Sequence, residues 1–360
     1  MRLPSLPLVT LTVLALVLIG QACSRTGPET QPPATPTASP TLSTATTVPT
    51  PRSEVATSTL VPPDATFRTE GPCHDPYPDE APFVSTPDRP ILLRPLGQSP
   101  ALTAHRFELP DSDRALMKMV RTVLGDEEDH FAIVIKNLSD GTGVTFEPDR
   151  DFYAASLYKT WVMLEAFNQQ QALLLDWAEQ YIVSDHYVTF GLNPGELKEC
   201  DVVSLLGALQ RMMGRTDNVA ANLLLDRVGA GNINRALHNL GLELSGFYTV
   251  GTMPTTAVET ALLLEAIYEG AAVNDVASAR MLELLKTESI DDRIPALLPA
   301  GTAVAHKTGN WKDATHDVGI VFSPQATYLI VVLTDYGYSE GGAAPIAELS
   351  RVVYDYYNSG

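Results

Sequence analysis

The sequence predicts an α+β domain, an α/β sandwich built on one five-stranded antiparallel sheet with helices on both faces and an inserted all-helical subdomain. Three observations predict it. Strand-like apolar runs fall in two groups far apart in the chain: Phe131–Asn137 and Val144–Phe146, then Ala303–Lys307, Val318–Phe322 and Tyr328–Thr334. The stretch between them, roughly 200–290, carries helical spacing. Amphipathic helices bracket the whole, so all five strands can close into one sheet covered on both sides.

The first of these helices runs from Asp111 to Leu124, with Leu116, Met117, Val120, Val123 and Leu124 on one face and Asp111, Ser112 and Asp113 as capping candidates. Ser139-Asp140-Gly141-Thr142-Gly143 supplies the turn between the first two strands. A long helix is expected from about Ser156 to Gln171. Val202–Met213, Val219–Val228, Ile233–Leu240 and Thr256–Tyr268 follow with i, i+3/i+4 apolar spacing. The last helix spans about Ala344 to Tyr357. A cleft between the sheet and the inserted helices is the expected place for chemistry.

Ahead of this domain the composition changes. Arg2 precedes an apolar run from Leu8 to Ile19, too short to span a bilayer comfortably and of the length of a signal-peptide core. Gly20-Gln21-Ala22-Cys23 resembles a bacterial lipobox, in which Cys23 would carry lipid; ordinary secretion is the alternative. Either way the chain is expected to be exported, 1–23 serving as the signal. Residues 24–66 are rich in Thr, Pro and Ser, and cannot bury enough apolar surface to offset their conformational entropy; a disordered tether is expected. Residues 67–110 read as an irregular extension and 111–360 as the folded domain. Cys73 and Cys200 are left to be bridged or to stay separate.

The chain holds 24 Lys+Arg against 43 Asp+Glu, a formal charge of −19. Its first 66 residues sum to zero, so all of the excess sits on the rest. That argues against a nucleic-acid partner. At 45% apolar and 19% charged the chain can bury a core, which excludes global disorder. No CxxC or Cys/His cluster suggests zinc, His306 and His316 read as polar strand residues rather than metal ligands, and no cofactor is inferred.

Three short motifs remain. Ser156-Leu157-Tyr158-Lys159 puts a hydroxyl and an amine on one face of a helix start. A lysine whose pKa is lowered by its surroundings can take the serine's proton. Thr216-Asp217-Asn218 precedes a helical run, and Lys307-Thr308-Gly309 ends a strand. Singly each is a cap, a turn or a solvated lysine. In this order and context they form the signature of penicillin-recognising serine enzymes. The wider sequence resembles the class A serine β-lactamase family, in Met212–Leu224, in Arg293–Thr302 leading to His306-Lys307-Thr308-Gly309, and in His316-Asp317-Val318-Gly319-Ile320.

That resemblance implies a β-lactamase/transpeptidase-like fold and a serine hydrolase that opens β-lactam amide bonds through an acyl-serine intermediate. It implies Ser156 as nucleophile, Lys159 as its base, Thr216 as proton relay to the leaving nitrogen and Lys307 as electrostatic support. The amides of Ser156 and Asn310 would form the oxyanion hole. Asn218, Thr308, Gly309 and Asn310 would contact substrate, with Lys307 and Thr308 drawing its carboxylate. Two departures stand out. Thr216 replaces the usual Ser, and the loop that carries the family's deacylating Glu is shortened to Glu243–Pro254, with Glu243 as its sole carboxylate and Phe247 where an Asn is expected. Without a placed base, release of the acyl group should lose about 10²–10⁴ in rate. Two further readings therefore stand beside the lactamase: a cell-wall D-alanyl-D-alanine peptidase or related amidase or esterase, and a non-hydrolysing β-lactam sensor or wall-binding protein. The expected partners are a small β-lactam or a peptidoglycan stem peptide, and a membrane reached through Cys23; a monomer is expected.

Overall fold

The strand segments alternate in the direction of their side chains, and that alternation decides the layering. In Phe131–Asn137, Ala132 and Val134 enter one apolar cluster, while Phe131, Ile133 and Ile135 enter another. In Thr327–Thr334, Leu329, Val331 and Leu333 face the first cluster, and Tyr328, Ile330 and Val332 the second. A sheet with apolar residues on both faces must be covered twice.

The computed structural model describes residues 67–68, 107–108, 110–189, 195–248 and 252–359. The expected signal segment, Cys23, the tether and most of the 67–110 extension lie outside them. In chain order the elements are β1 (Phe67–Arg68), β2 (Asp111–Ser112), α1 (Arg114–Leu124), β3 (Phe131–Asn137), β4 (Thr142–Phe146), β5 (Phe152–Tyr153) and α2 (Tyr158–Gln171). Then come β6 (Gln180–Ile182), α3 (Asp185–Thr189), β7 (Asp201–Ser204), α4 (Leu205–Gly214), α5 (Asn218–Val228), α6 (Ala230–Asn239), β8 (Pro254–Thr255) and α7 (Ala257–Tyr268). The chain closes with α8 (Asp275–Leu285), β9 (Ala303–Trp311), β10 (Ala314–Phe322), β11 (Thr327–Thr334) and α9 (Ala343–Asn358).

The main sheet runs β2-β4-β3-β11-β10-β9. Its five long strands pair antiparallel, as expected; β2 adds two residues in parallel to β4 at the edge. Apolar residues of α1 and α9 cover one face, among them Leu116, Val120, Ile346 and Val353. The other face carries α2, α4, α5, α7 and α8, through residues such as Val162, Leu209, Leu224, Leu263 and Met281. Asp140 makes the β3–β4 turn as its composition requires, its Oδ1 accepting from the N–H (2.9 Å) and hydroxyl (2.7 Å) of Thr142.

Several expected boundaries move, two of them at helix starts. The helix expected from Val202 begins at Leu205, because Asp201–Ser204 pair with β6 and β1, and Ser204 caps the helix by accepting from Gly207 N–H at 3.0 Å. The capping candidates before α1 resolve to Asp113, which accepts from Ala115 and Leu116 N–H at 2.9 and 3.0 Å. Cys200 is disulfide-bonded; the chain's two other cysteines, Cys23 and Cys73, lie outside the described residues. Among the described residues no helix is long and apolar enough to cross a membrane.

Candidate active site

Ser156 sits in a single 3₁₀ turn, Ala155–Leu157, that opens directly into α2. The turn is entered through a strained residue. Ala155 has φ +47°, a conformation that costs a non-glycine residue about 1–3 kcal/mol and survives only where its surroundings enforce it. They do so from the sheet. His316 on β10 donates from Nε2 to the Tyr153 carbonyl at 2.9 Å, and Gly309 on β9 lies so close that a Cβ there would meet Ala154 O at 3.2 Å and Leu157 Cγ at 3.3 Å. Gly309 thus packs the third motif against the turn that carries Ser156.

The second motif is fixed from the opposite side. Thr216, at φ +53°, ends the α4–α5 connection, and Asp217 caps α5. The Asp217 carboxylate accepts four N–H groups: Val219 (2.8 Å) and Ala220 (3.0 Å) on Oδ1, Glu196 (2.7 Å) and Leu197 (3.2 Å) on Oδ2. Gly195 is required beside it, since a Cβ at that position would lie 2.0 Å from Asp217 Oδ1.

The lysines join the three motifs. Lys159, fully buried on α2, donates to Thr216 O at 2.7 Å and to Asn218 Oδ1 at 2.8 Å. Burial, and secondly the charge of Lys307, push its amine well below the usual lysine range, as a proton acceptor at neutral pH requires. Lys307, fully buried on β9, donates to Thr216 Oγ1 at 2.8 Å. Thr216 therefore lies between both lysines. Ser156, Thr216, Asn218, Thr308 and Asn310 line one cavity of about 810 Å³, together with Tyr153, Tyr158, Arg215 and Trp311.

Sequence reasoning missed two residues here. Glu288, in the α8–β9 connection, ion-pairs with Lys307 and accepts from Thr308 Oγ1 at 3.2 Å and Thr216 Oγ1 at 3.3 Å. Burial would raise its pKa, but the Lys307 ammonium outweighs that and holds it below the usual carboxylate value. Arg293, also fully buried, donates to the His316 carbonyl at 2.9 Å and to Asn310 Oδ1 at 2.5 Å. Arg293 did lie inside a quoted stretch of resemblance; nothing around Glu288 singled it out.

The shortened loop is described except for 249–251, which are Thr, Val and Gly. Glu259 on α7 holds its start, accepting from the N–H groups of Glu243, Leu244 and Ser245 at 2.7–2.8 Å. The Glu243 side chain is 73% exposed and lies 3.3 Å from His238 Nδ1, away from the cavity-lining residues. Phe247 is clamped by Asn234, through its N–H (2.8 Å) and carbonyl (2.6 Å), and its ring meets Tyr158 and Trp161 edge-on at 5.7 and 5.6 Å. Apolar packing fills the ground beside α2. Among the described residues no group of three or more His, Cys, Asp or Glu side chains is placed to hold a metal.

Comparison with known proteins bears on the family and the fold. The family model described as β-lactamase enzyme family matches residues 115–357, well over half of the chain. A β-lactamase of Bacteroides uniformis is 28% identical over 177 residues, 42% of this chain; the match spans only 60% of that relative's length. The extended-spectrum β-lactamase PER-1 of Pseudomonas aeruginosa is 21% identical over 276 residues, covering 69% of this chain and 90% of that one. Among solved structures, PBP-A superposes with a TM-score of 0.65 at 22% identity over 71% of this chain and 100% of its own. A mutant of that protein is described as an acyl-enzyme complex with penicillin G. The β-lactamase of Sphaerobacter thermophilus DSM 20745 gives 0.62 at 21% identity over 68% of this chain and 97% of its own. The solved structures carry the fold, and the family match carries the assignment: the chain belongs to the β-lactamase enzyme family and is, at that level, a β-lactamase-like hydrolase.

Proposed function

We propose that the chain is a class A-like serine enzyme that opens the amide bond of a β-lactam carrying a carboxylate, by way of an acyl group on Ser156. The observation that carries this reading is the position of Thr216, whose hydroxyl accepts from Lys307 while its carbonyl accepts from Lys159. Ser156 Oγ attacks the carbonyl carbon as Lys159 takes its proton. The negative oxygen is held by the amides of Ser156 and Asn310, a contact worth a few kcal/mol when donors are aimed at developing charge. Thr216 protonates the leaving nitrogen. Asn218, Thr308, Gly309 and Asn310 form the substrate's bed. Support for a β-lactam comes from the penicillin G acyl-enzyme described for a PBP-A mutant.

One observation favours a second reading. The sole carboxylate of the shortened loop, Glu243, is exposed and paired with His238. A site that acylates without that base would hold its acyl group, as a cell-wall peptidase acting on a different acceptor does, or a β-lactam sensor. A nitrocefin time course with intact-mass spectrometry separates the two. Steady turnover with little adduct supports the lactamase; a one-equivalent burst with a lasting adduct on Ser156 moves the assignment to the second reading. Loss of both signals in Ser156→Ala is required by either, and their persistence there refutes both. Residues 1–23 are read as an export signal ending at a lipid-bearing Cys23, 24–66 as a tether, and the protein as an extracytoplasmic monomer; metabolic labelling with a fatty acid, lost in Cys23→Ala, tests the anchor.

A further inference from the structure

Glu288 belongs to none of the three motifs, yet its buried carboxylate touches two of them. It pairs with Lys307 and accepts from the hydroxyls of Thr216 and Thr308. The N–H groups of Ser289 (3.0 Å) and Ile290 (3.3 Å) close its other oxygen. The two lysines of the site are therefore unequal. Lys307 has a carboxylate in direct contact, whereas Lys159 is bonded to two neutral oxygens, Thr216 O and Asn218 Oδ1. Two buried cations so close to one another cannot both be charged cheaply, and a buried charge persists only where it is paired.

We propose that Glu288 sets the proton inventory of the site: its carboxylate keeps Lys307 an ammonium and steadies the Thr216 hydroxyl beside it, which leaves Lys159 as the uncharged base. This rests on the acyl-serine reading above and adds a positioning residue to it. The proton balance then closes. Ser156 gives its proton to neutral Lys159 as Oγ bonds the carbonyl carbon. When the carbon–nitrogen bond breaks, Thr216 gives its hydroxyl proton to the nitrogen, while the Lys307 ammonium, bonded to the same oxygen, covers the charge that develops there. The proton on Lys159 replaces the one Thr216 gave, so Lys159 ends neutral and Lys307 never changes state.

Other charged groups surround the pair. His306 on β9 and Asp317 on β10 bond each other at 2.9 Å; Asp291 and Arg293 come from the α8–β9 connection, and Asp217 from the start of α5. Of these, Asp317 raises the amine of Lys307 and Arg293 lowers it, both after Glu288 in size, while Glu288 itself and Asp217 pull the Lys159 amine up against burial and the Lys307 charge, which together push it well down. Burial is the larger force pushing that amine down, and Glu288 is the first to push back.

The test is the pH profile of Ser156 acylation by a fluorescent penicillin, in the full chain and in Glu288→Gln and Glu288→Asp. The acid limb reports Lys159 losing its proton and the alkaline limb Lys307 losing its own. In Glu288→Gln the alkaline limb moves to lower pH by about one pH unit or more, and the maximum falls about tenfold or more. Glu288→Asp brings the limb back to within about half a pH unit of the parent. A uniform drop in rate with both limbs unmoved reports a purely structural carboxylate and overturns the proposal, as does an Asp variant indistinguishable from Gln. Should Glu288→Gln not fold, the parent chain decides, through ¹⁵N-lysine NMR assigned with Lys159→Arg. A Lys159 amine neutral near pH 7 beside a buried ammonium still charged at that pH supports the assignment; two charged lysines at pH 7 sink it. A parent chain that takes no label at any pH refutes the acyl-serine reading instead, and the NMR experiment still judges Glu288.

Discussion

His316 should make the fold acid-sensitive, by an amount the structure allows to be worked out. The side chain is fully buried on β10, and both ring nitrogens are used: Nδ1 accepts from Thr334 N–H at 3.2 Å, so the proton is on Nε2, which donates to Tyr153 O at 2.9 Å. A second proton would face an N–H donor. Burial pushes the ring down to about 4, with the bond to Tyr153 opposing, against about 6.5 for an unburied histidine. Between those values the unfolded chain binds more protons than the folded one. Stability is therefore full above about pH 6.5 and is lost as pH falls toward 4. About 2.5 pH units at 1.36 kcal/mol each gives about 3 kcal/mol. His306 works in the opposite sense. Burial alone would lower its pKa, but Asp317 outweighs burial and raises it, so its contribution is present below about 6.5 and is lost as pH rises through the folded value. Comparing the parent with His316→Gln cancels His306 and the carboxylates. Urea denaturation at about pH 7, 5.5 and 4 should find the variant less stable at pH 7, with the gap narrowing by about 2–3 kcal/mol at pH 4. A gap of constant size would refute the picture of a neutral buried imidazole. Because Tyr153 leads into Ala155 and Ser156, the same variant should also acylate more slowly at pH 7.

Three further outcomes follow from individual contacts. Gly195→Ala drives a Cβ into the Asp217 carboxylate and should cost at least two of its four bonds, about 3 kcal/mol or more by urea titration, with slower penicillin labelling. Glu243→Gln should leave nitrocefin turnover, or the lifetime of the acyl group, within about twofold of the parent, because the side chain points to His238 and solvent. Lys136→Met should destabilise by about 1–3 kcal/mol by removing the ammonium that lies 2.8 Å from Glu265 Oε1, both side chains being largely buried; adding Glu265→Leu should recover part of that loss in the same melt.

Much of the fold was legible because the sheet's inner strands obey simple alternation. β3 and β11 were bounded within a residue of their ends, being apolar on both faces and paired along their whole length. β9 and β10 were drawn short. Ala303–Lys307 continues to Trp311, and the strand expected from Val318 begins at Ala314. Outside the apolar runs stand Thr308, Thr315, His316 and Asp317, all of them polar and almost wholly buried. Periodicity reads water-to-core transfer, and these side chains are inside for another reason: Thr308 and Asp317 bond into the α8–β9 connection, and His316 bonds Thr334 across the sheet and Tyr153 ahead of Ser156. The short strands β6, β7 and β8 have no pattern long enough to count, and Val202–Ser204 of β7 carry the helical spacing of the segment that follows.

The site divides along the same line. Ser156, Lys159, Thr216, Asn218 and Lys307 could be named because their spacing along the chain is itself a pattern, and they meet in space with the two lysines on either side of Thr216. Glu288 has no such spacing, and it stands 72 residues from Thr216 and 19 from Lys307, so only the closing of the sheet onto the helical subdomain reveals it. The reason it was invisible is the reason it matters. A cation as deeply buried as Lys307 needs a counter-charge, and the chain must supply one from wherever it passes. A motif lists the groups that meet the substrate; the groups that make those residues tolerable in a low-dielectric core can come from any segment. In this protein the lysine-bearing motifs could therefore be read from one dimension, while the assignment of charge between Lys159 and Lys307 needed three.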